Sequence, residues 1–327
     1  MCTSFTLQSQ DGLNLLSRTM DFAFVLDPDL VMIPRSYKMN SYLENSSYTT
    51  KYAFVGLSKK LDEYVFADGV NEKGLTCASL YFVGYATYND KVEENMQNLA
   101  PHELVSYLLA RYESVEEVKE AFKEINLVSF KLDLLGIIVP LHWIVSDASG
   151  ACITIEPTKN GIKIHENSIG VMSNAPDFEW HMTNIRNYIG VSYTPHEAIK
   201  LSGVMFEPFG QGSGSVGMPG DYTPPSRFLR ALFSKKTIEK PIGEQKSVNA
   251  SFHVLSSVDI PKGSVKTQRG PDYTQYTACM VSNTATYYFK TYDNYQINKF
   301  SLLDHDLNSK EVLKWDIAQE ENYNEII

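Results

Sequence analysis

From its third residue the chain alternates polar and apolar side chains, Thr3-Ser4-Phe5-Thr6-Leu7-Gln8, reaches Gln10-Asp11-Gly12, and resumes strand-like sequence over residues 13–20. A period of two interrupted by a turn reads as a β-hairpin. A hairpin so near the terminus commits the first residues to a sheet and places Cys2 at the open end of its first strand. Aminopeptidases that trim initiator methionines act where the second side chain is small, so loss of Met1 would leave one residue carrying both a thiol and an α-amine. The thiolate is the attacking species in cysteine chemistry. An α-amine with a pKa near ~7.7 to 8.0 exchanges protons around neutrality. Taken alone, a second-position cysteine is equally compatible with chance.

The hairpin also sets facings. With a two-residue Asp11-Gly12 loop, Gln10 meets Leu13 and Cys2 stands opposite Asp21, on one face. The same register puts Arg18 opposite Phe5, on the other face. Arg18 then reaches Cys2 only through a bulge or bend between Arg18 and Asp21.

Strand-like runs follow at 52–57, 64–66 and 75–82, the last two joined across Asn71-Glu72-Lys73-Gly74. Pro101 suits a first helical turn, and Leu104, Val105, Leu108 and Leu109 make one apolar face. Ser114 and Glu117 have capping-box spacing ahead of Val115, Val118, Phe122 and Ile125, spaced for a second helix. A meander is expected over 143–146, 151–155, 162–165 and 170–173, helices over 178–188, 226–233 and 248–258, and strands over 273–282, 285–292 and 297–302. Blocks of strands alternating with blocks of helices favour α+β layers with antiparallel sheets over βαβ units. With no repeat, linker or charge break, residues 1–327 read as one domain.

Composition excludes several functions. A formal charge of −10 with no Lys/Arg block argues against a nucleic-acid partner. No run of about 18 apolar residues is present to span a membrane, and no secretory signal opens the chain, so the cytoplasm is the expected location. Cys2, Cys77, Cys152 and Cys279 form no C-x-x-C pair, and the last three sit in apolar runs, as buried free cysteines do. Seven scattered histidines without H-E-x-x-H give no metal site, and no cofactor is expected. The glycine-rich run 210–220 lacks the G-K-[ST] ending of a phosphate loop and reads as a surface or interface loop.

A Cys2 nucleophile needs positive charge nearby, an acceptor for its amine and donors for an oxyanion. Arg18 and Arg227 can supply charge, Asp21 can hold the amine, and Asn174 can donate. Each has a plainer reading: a hairpin ion pair for Arg18 and Asp21, a turn before Pro176 for Asn174, and a solvated residue in a first helical turn for Arg227.

The start M-C-T-S and S-R-T-M-D-F around Arg18 and Asp21 resemble the choloylglycine hydrolase family of penicillin V acylases and bile salt hydrolases. So do F-A-D-G-V-N-E-K-G-L at 66–75, L-Y-F-V-G-Y-A at 80–86, P-L-H-W-I at 140–144 and M-S-N-A-P-D-F at 172–178. G-D-Y-T-P-P-S-R-F at 220–228 and Y-T-Q-Y-T at 273–277 extend the likeness over nearly the whole chain. The resemblance implies an N-terminal nucleophile hydrolase with an αββα sandwich, usually a homotetramer, acting on a small-molecule acyl amide. It implies Cys2 as nucleophile once Met1 is removed, Arg18, Asp21, Asn174 and Arg227 at the other catalytic positions, and the backbone N–H of Tyr81 beside Asn174 at the oxyanion. A thioester forms and water releases the acid. Tyr81, where many bile salt hydrolases have Asn, points to the penicillin V acylase branch. Bile salt (choloylglycine) hydrolysis and N-acyl homoserine lactone cleavage are the alternatives, and a catalytically silent binding protein is the reading from another class. Met20, Phe22, Phe24, Leu134, Leu135 and Ile137 are candidates to line an acyl pocket, or equally to belong to the core.

Overall fold

A computed structural model describes every residue except 44, 45, 319, 322 and 327. Two antiparallel sheets face each other. The first has seven strands in the order Val171–Met172, β1 (Cys2–Gln8), β2 (Asn14–Phe22), Gly270–Val281, Thr286–Thr291 and Asn298–Ser301, with Val265–Thr267 paired to one end of Gly270–Val281. The second has nine, running Gly161–Glu166, Cys152–Thr158, Leu141–Ser146, Thr76–Tyr81, Asp68–Asn71, Phe54–Lys60, Asp29–Ile33 and Leu313–Trp315, with Tyr64–Phe66 beside Phe54–Lys60.

Each sheet packs one face on the other sheet and the opposite face on helices, so that even the polar Thr3, Ser4 and Ser17 of the first hairpin are buried. Leu16, Met280 and Tyr287 from the first sheet pack against Val55, Val70 and Ile144 from the second. Side chains one residue away point outward: Cys279 and Val281 meet Phe228, Val248 and Phe252 of the helices Pro224–Thr237 and Glu244–Ser256. Trp143 and Val145 meet Leu104, Leu108 and Val118 of the helices Leu104–Arg111 and Val115–Ala121. The layers are therefore α, β, β, α, as the resemblance implied.

The first hairpin has a different register from the expected one. Cys2 pairs with Met20, Ser4 with Arg18 and Phe5 with Ser17. The loop is longer than two residues: Gln8 pairs with Asn14, and Ser9 closes the turn through its N–H to the Leu13 carbonyl (2.9 Å) and its hydroxyl, which accepts from the Leu13 N–H (2.8 Å). A one-residue shift reverses every facing. Arg18 thus shares the face of Cys2 without any bulge, and Asp21 moves to the other. A bulge does exist between Met20 and Asp21, but against Gly270–Val281.

Elsewhere the helix spanning 115–125 ends earlier than its periodicity suggested. Ser114 Oγ caps it by accepting from the Glu117 N–H (3.2 Å), but Ile125–Leu127 is a strand paired in parallel with Gln97–Leu99. A small hairpin, Ile199–Leu201 with Val204–Phe206, stands apart from both sheets with Ile199, Leu201, Val204, Met205 and Phe206 each more than half exposed. Among the described residues no helix is long and apolar enough to cross a membrane.

Candidate active site

The site forms where β1 begins. Cys2 is buried, and its Sγ accepts a hydrogen bond from Arg18 Nη2 at 3.1 Å. Residues i and i+2 of a strand share a face, so pairing of Ser4 with Arg18 aims the guanidinium along β1 at the sulfur. Arg18 is itself fully buried and needs a counter-charge. It finds Asp68 of the second sheet, with Nη1 2.7 Å from Oδ2, while its Nε donates to the Thr19 carbonyl at 3.0 Å. Asp68 also accepts from the hydroxyls of Tyr276 (2.6 Å) and Tyr287. Burial works against the Arg18 charge, but Tyr276, Cys2 and Asp68 outweigh it and hold its pKa above the ordinary value. Asp68 was not singled out from the sequence. The available signal was a lone acid among Phe66, Ala67, Gly69 and Val70, since a carboxylate in an apolar strand requires buried partners.

On the opposite face of β2, Asp21 accepts from Thr19 Oγ1 (3.1 Å) and Thr274 Oγ1 (2.6 Å) and lies 3.6 Å from Arg227 Nη1. Burial raises its pKa against the opposing pull of Arg227, the chain terminus and Thr274. Its carbonyl accepts from the Met1 amine at 2.6 Å, and the same amine is 3.4 Å from Asp272 Oδ2.

Arg227, fully buried in the first turn of Pro224–Thr237, is not the solvated residue of the plainer reading. It donates to the Cys2 carbonyl (2.6 Å), Thr3 Oγ1 and Asn174 Oδ1 (2.7 Å). Burial lowers its pKa, opposed by Asp21 and Cys2. Asn174 Oδ1 accepts a second bond from the Cys2 N–H at 2.8 Å, and its Nδ2 donates to the Tyr81 carbonyl at 2.8 Å. An amide nitrogen carries two N–H groups, so one is left for a ligand. His181 anchors the segment from behind, its Nε2 2.9 Å from the Asn174 carbonyl and its ring stacked on Phe228.

The Tyr81 N–H is directed by the ladder. Phe82 donates to Pro140 on one side and Ser79 to Ala67 on the other. Alternation along an antiparallel strand then turns the Tyr81 N–H past the end of Asp68–Asn71, toward Asn174.

Beside Cys2 opens a mainly apolar cleft. Met20, Phe22, Phe24, Leu134 and Leu135 line it, whereas Ile137 does not and belongs instead to the short strand Ile137–Ile138 paired with Lys131–Leu132. An outer, more polar cavity adjoins it, with Tyr81, Asn174, Arg269 and Asp272 in its wall. Cys77, Cys152 and Cys279 are free and buried; burial pushes the thiol of Cys152 up to about 12 and that of Cys279 to about 11. Among the described residues no group of three or more His, Cys, Asp or Glu could hold a metal ion.

Two antiparallel sheets between helical layers, with a cysteine at the free end of the first strand, define the N-terminal nucleophile class of hydrolases. Comparison with known proteins agrees. Residues 2–315 match the family model described as linear amide C–N hydrolases, choloylglycine hydrolase family. The bile salt hydrolase/transferase of Clostridium perfringens is 38% identical over 314 residues, covering 95% of each chain. The crystal structure of the C2A mutant conjugated bile acid hydrolase from the same organism superimposes with a TM-score of 0.93 at 36% identity, covering 100% of both chains. Penicillin V acylase from Agrobacterium tumefaciens shares the fold, with a TM-score of 0.78, at 22% identity over 96% of this chain and 91% of that one. The chain belongs to the choloylglycine hydrolase family and is an amide C–N hydrolase. The relatives above 30% identity are named as bile salt or bile acid hydrolases, which backs that alternative better than the penicillin V reading taken from Tyr81.

Proposed function

We propose that this protein, as a single catalytic domain, hydrolyses the amide bond of conjugated bile salts with Cys2 as its nucleophile. The observation that carries the reading is the Cys2 sulfur, held 3.1 Å from the Arg18 guanidinium and lining a largely aliphatic cleft. Leu26, Leu57, Val65, Leu132, Val139 and Leu141 give that cleft the width and softness that a rigid alicyclic acyl group needs.

With Met1 attached, the Cys2 nitrogen is a peptide amide and cannot take a proton, so removal of Met1 is the activating step. The freed amine remains on Asn174 Oδ1, and Arg227 holds the Cys2 carbonyl. The sulfur attacks the acyl carbonyl carbon, and the developing oxyanion is met by the second N–H of Asn174 and the backbone N–H of Tyr81. The C–N bond then breaks, the leaving amine takes a proton from the Cys2 ammonium, and a thioester is left. Water attacks the thioester carbonyl and passes one proton to the Cys2 amine, the C–S bond breaks to return the thiolate, and the acid leaves. An amine taking the place of that water would transfer the acyl group, in keeping with the hydrolase/transferase name of the Clostridium perfringens relative.

One observation favours penicillin V as a second reading: the Phe22 and Tyr81 rings pack on each other with centroids 5.2 Å apart and both line the cleft, an aromatic wall on which a flat aryl ether can stack. Rates on glycocholate, taurocholate and penicillin V with the processed protein decide between them. Faster cleavage of bile salts is expected, and penicillin V as the better substrate would overturn the reading. Intact mass should lack Met1, and Cys2→Ala should be inactive on all three. The exposed apolar hairpin at 199–206 supports a homotetramer, testable by light scattering, with Phe206→Asp expected to reduce the mass.

A further inference from the structure

Two residues in the wall of the cleft beside Cys2 carry buried polar atoms that the described residues leave without partners. The cleft's other polar side chains are engaged: Ser58 and Ser79 donate to the carbonyls of Val65 and Ala67, Lys59 to the carbonyl of Asp27, and Tyr276 to Asp68. The Tyr81 hydroxyl and both ring nitrogens of His102 are buried and make no hydrogen bond among the described residues. His102 is only 4% exposed. Natural proteins rarely leave such atoms unsatisfied, and each exception calls for an explanation.

His102 is well placed for a role in binding. It sits in the short turn Pro101–Glu103, which the neighbouring Glu103 carboxylate pins by accepting from the N–H groups of Ala100 (2.7 Å) and Tyr42 (3.1 Å) and from Ser41 Oγ (3.0 Å). The imidazole packs edge-on against Tyr42, centroids 4.4 Å apart, and near Phe130 at 5.7 Å. Tyr81 borders both the apolar cleft and the outer cavity that Asn174 lines, while His102 borders the apolar cleft alone. His102 therefore belongs to the acyl end.

The chemistry of the missing partner follows. Burial pushes the His102 pKa down to about 4, so at neutral pH the ring is uncharged, with one nitrogen donating and the other accepting. The Lys59 ammonium in the cleft wall is already held by Asp27, so a carboxylate or ammonium would be desolvated there with no free opposite charge to meet it. A hydroxyl, which both donates and accepts, fits either tautomer.

We infer that His102 is a specificity-determining residue that hydrogen-bonds a ring hydroxyl of the acyl group, so that the cleft selects hydroxylated alicyclic acids over their unhydroxylated analogues. This rests on the bile-salt reading above. A site built to bond a hydroxyl rejects the analogue lacking it, because its own polar atoms are then left buried and unpaired.

The test compares glycocholate with the glycine conjugate of 5β-cholanic acid, which has the same skeleton and no ring hydroxyl. The native enzyme should favour glycocholate by roughly 10- to 100-fold in kcat/KM, the effect of leaving a buried polar group unpaired, although hydrophobicity alone favours the other conjugate. In His102→Leu the ratio should fall to about one or below, through faster cleavage of the unhydroxylated conjugate and slower cleavage of glycocholate. The melting temperature should hold or rise, since an unpaired polar group has been removed. His102→Gln, which keeps a donor and an acceptor, should retain part of the preference. An unchanged ratio in His102→Leu overturns the inference. Equal losses on both conjugates with a lowered melting temperature also overturn it, by making His102 structural. If neither conjugate is cleaved while penicillin V is, the bile-salt reading fails and takes this inference with it.

Discussion

Replacing Asp68 by Asn sets two effects of opposite sign against each other at the nucleophile. The carboxylate is a negative charge bonded to Arg18, so its neutralisation alone would leave the guanidinium more positive toward the Cys2 thiolate and speed its chemistry. Asp68 also fixes where that guanidinium points, through the 2.7 Å bond to Nη1. At 3.1 Å from the sulfur, the guanidinium attracts a thiolate by about 5 kcal/mol at an effective dielectric of about 20. If release of Nη1 lets that distance double, about half is lost, which corresponds to roughly a 100-fold slower reaction. The positional loss should win, because Asn has a single oxygen for the three groups that share the two oxygens of Asp68, and Arg18 loses its charged anchor. The expected outcome is kcat on glycocholate down by about 10- to 100-fold with KM within about threefold. Alkylation of Cys2 by iodoacetamide at fixed pH should slow in parallel. Stability should fall by up to about 3 to 5 kcal/mol, the cost of stranding a buried charge, so activity is compared only on protein shown to be folded by circular dichroism. Unchanged or faster turnover and alkylation in folded Asp68→Asn would refute the positional argument.

Asn174→Ala should lower kcat by ~10² to 10³ with little change in KM, the loss expected for one oxyanion donor; an undiminished rate removes Asn174 from the site. His181 has its pKa lowered by burial from the ordinary 6.5 to about 4. Between those values the unfolded chain gains a proton that the folded one refuses, so its contribution is complete above pH 6.5 and is lost as pH falls, by about 3 kcal/mol at pH 4. Urea unfolding at pH 7 and 4.5 should show a shallower acid loss in His181→Gln than in the parent, and parallel losses would count against it. Gly56→Ala would bring a Cβ to 2.2 Å from the Asp68 carbonyl, a backbone clash that should destabilise by at least about 2 kcal/mol, seen as a lower urea midpoint.

Layering was legible in the sequence because blocks of strands, such as 141–146 and 273–281, alternate with blocks of helices, and the four-layer order came with the resemblance. Facing was not. Gln10-Asp11-Gly12 marked a turn but not its length, and only the Ser9 contacts with Leu13 in the folded chain settle that. The error placed Arg18 on the wrong side of β2, although the motif around it pointed to the right residue. Ile125 followed a helical spacing, yet pairing with Gln97 determined its state, as tertiary contacts often override periodicity. Pocket and core residues share one composition, so Met20 and Ile137 read alike until the structure separated them. Tyr81 carried more weight than one side chain supports: branch is a property of the whole chain, and specificity is spread over a wall of many residues. His102 was one of seven scattered histidines, and its lack of partners is visible only once its neighbours are in place.

Asp68 reaches across the gap between the sheets. Its carboxylate comes from the second sheet, while Arg18, Tyr276 and Tyr287 come from the first. The distance between the sheets is set by side chains such as Met280, Val70 and Ile144, none of which lines the cleft. With Cys2 as the proposed nucleophile, catalysis would gauge the spacing of the sandwich: a slightly larger or smaller residue in that middle layer should change turnover before it changes cooperative unfolding, and hydrostatic pressure should do the same without any substitution.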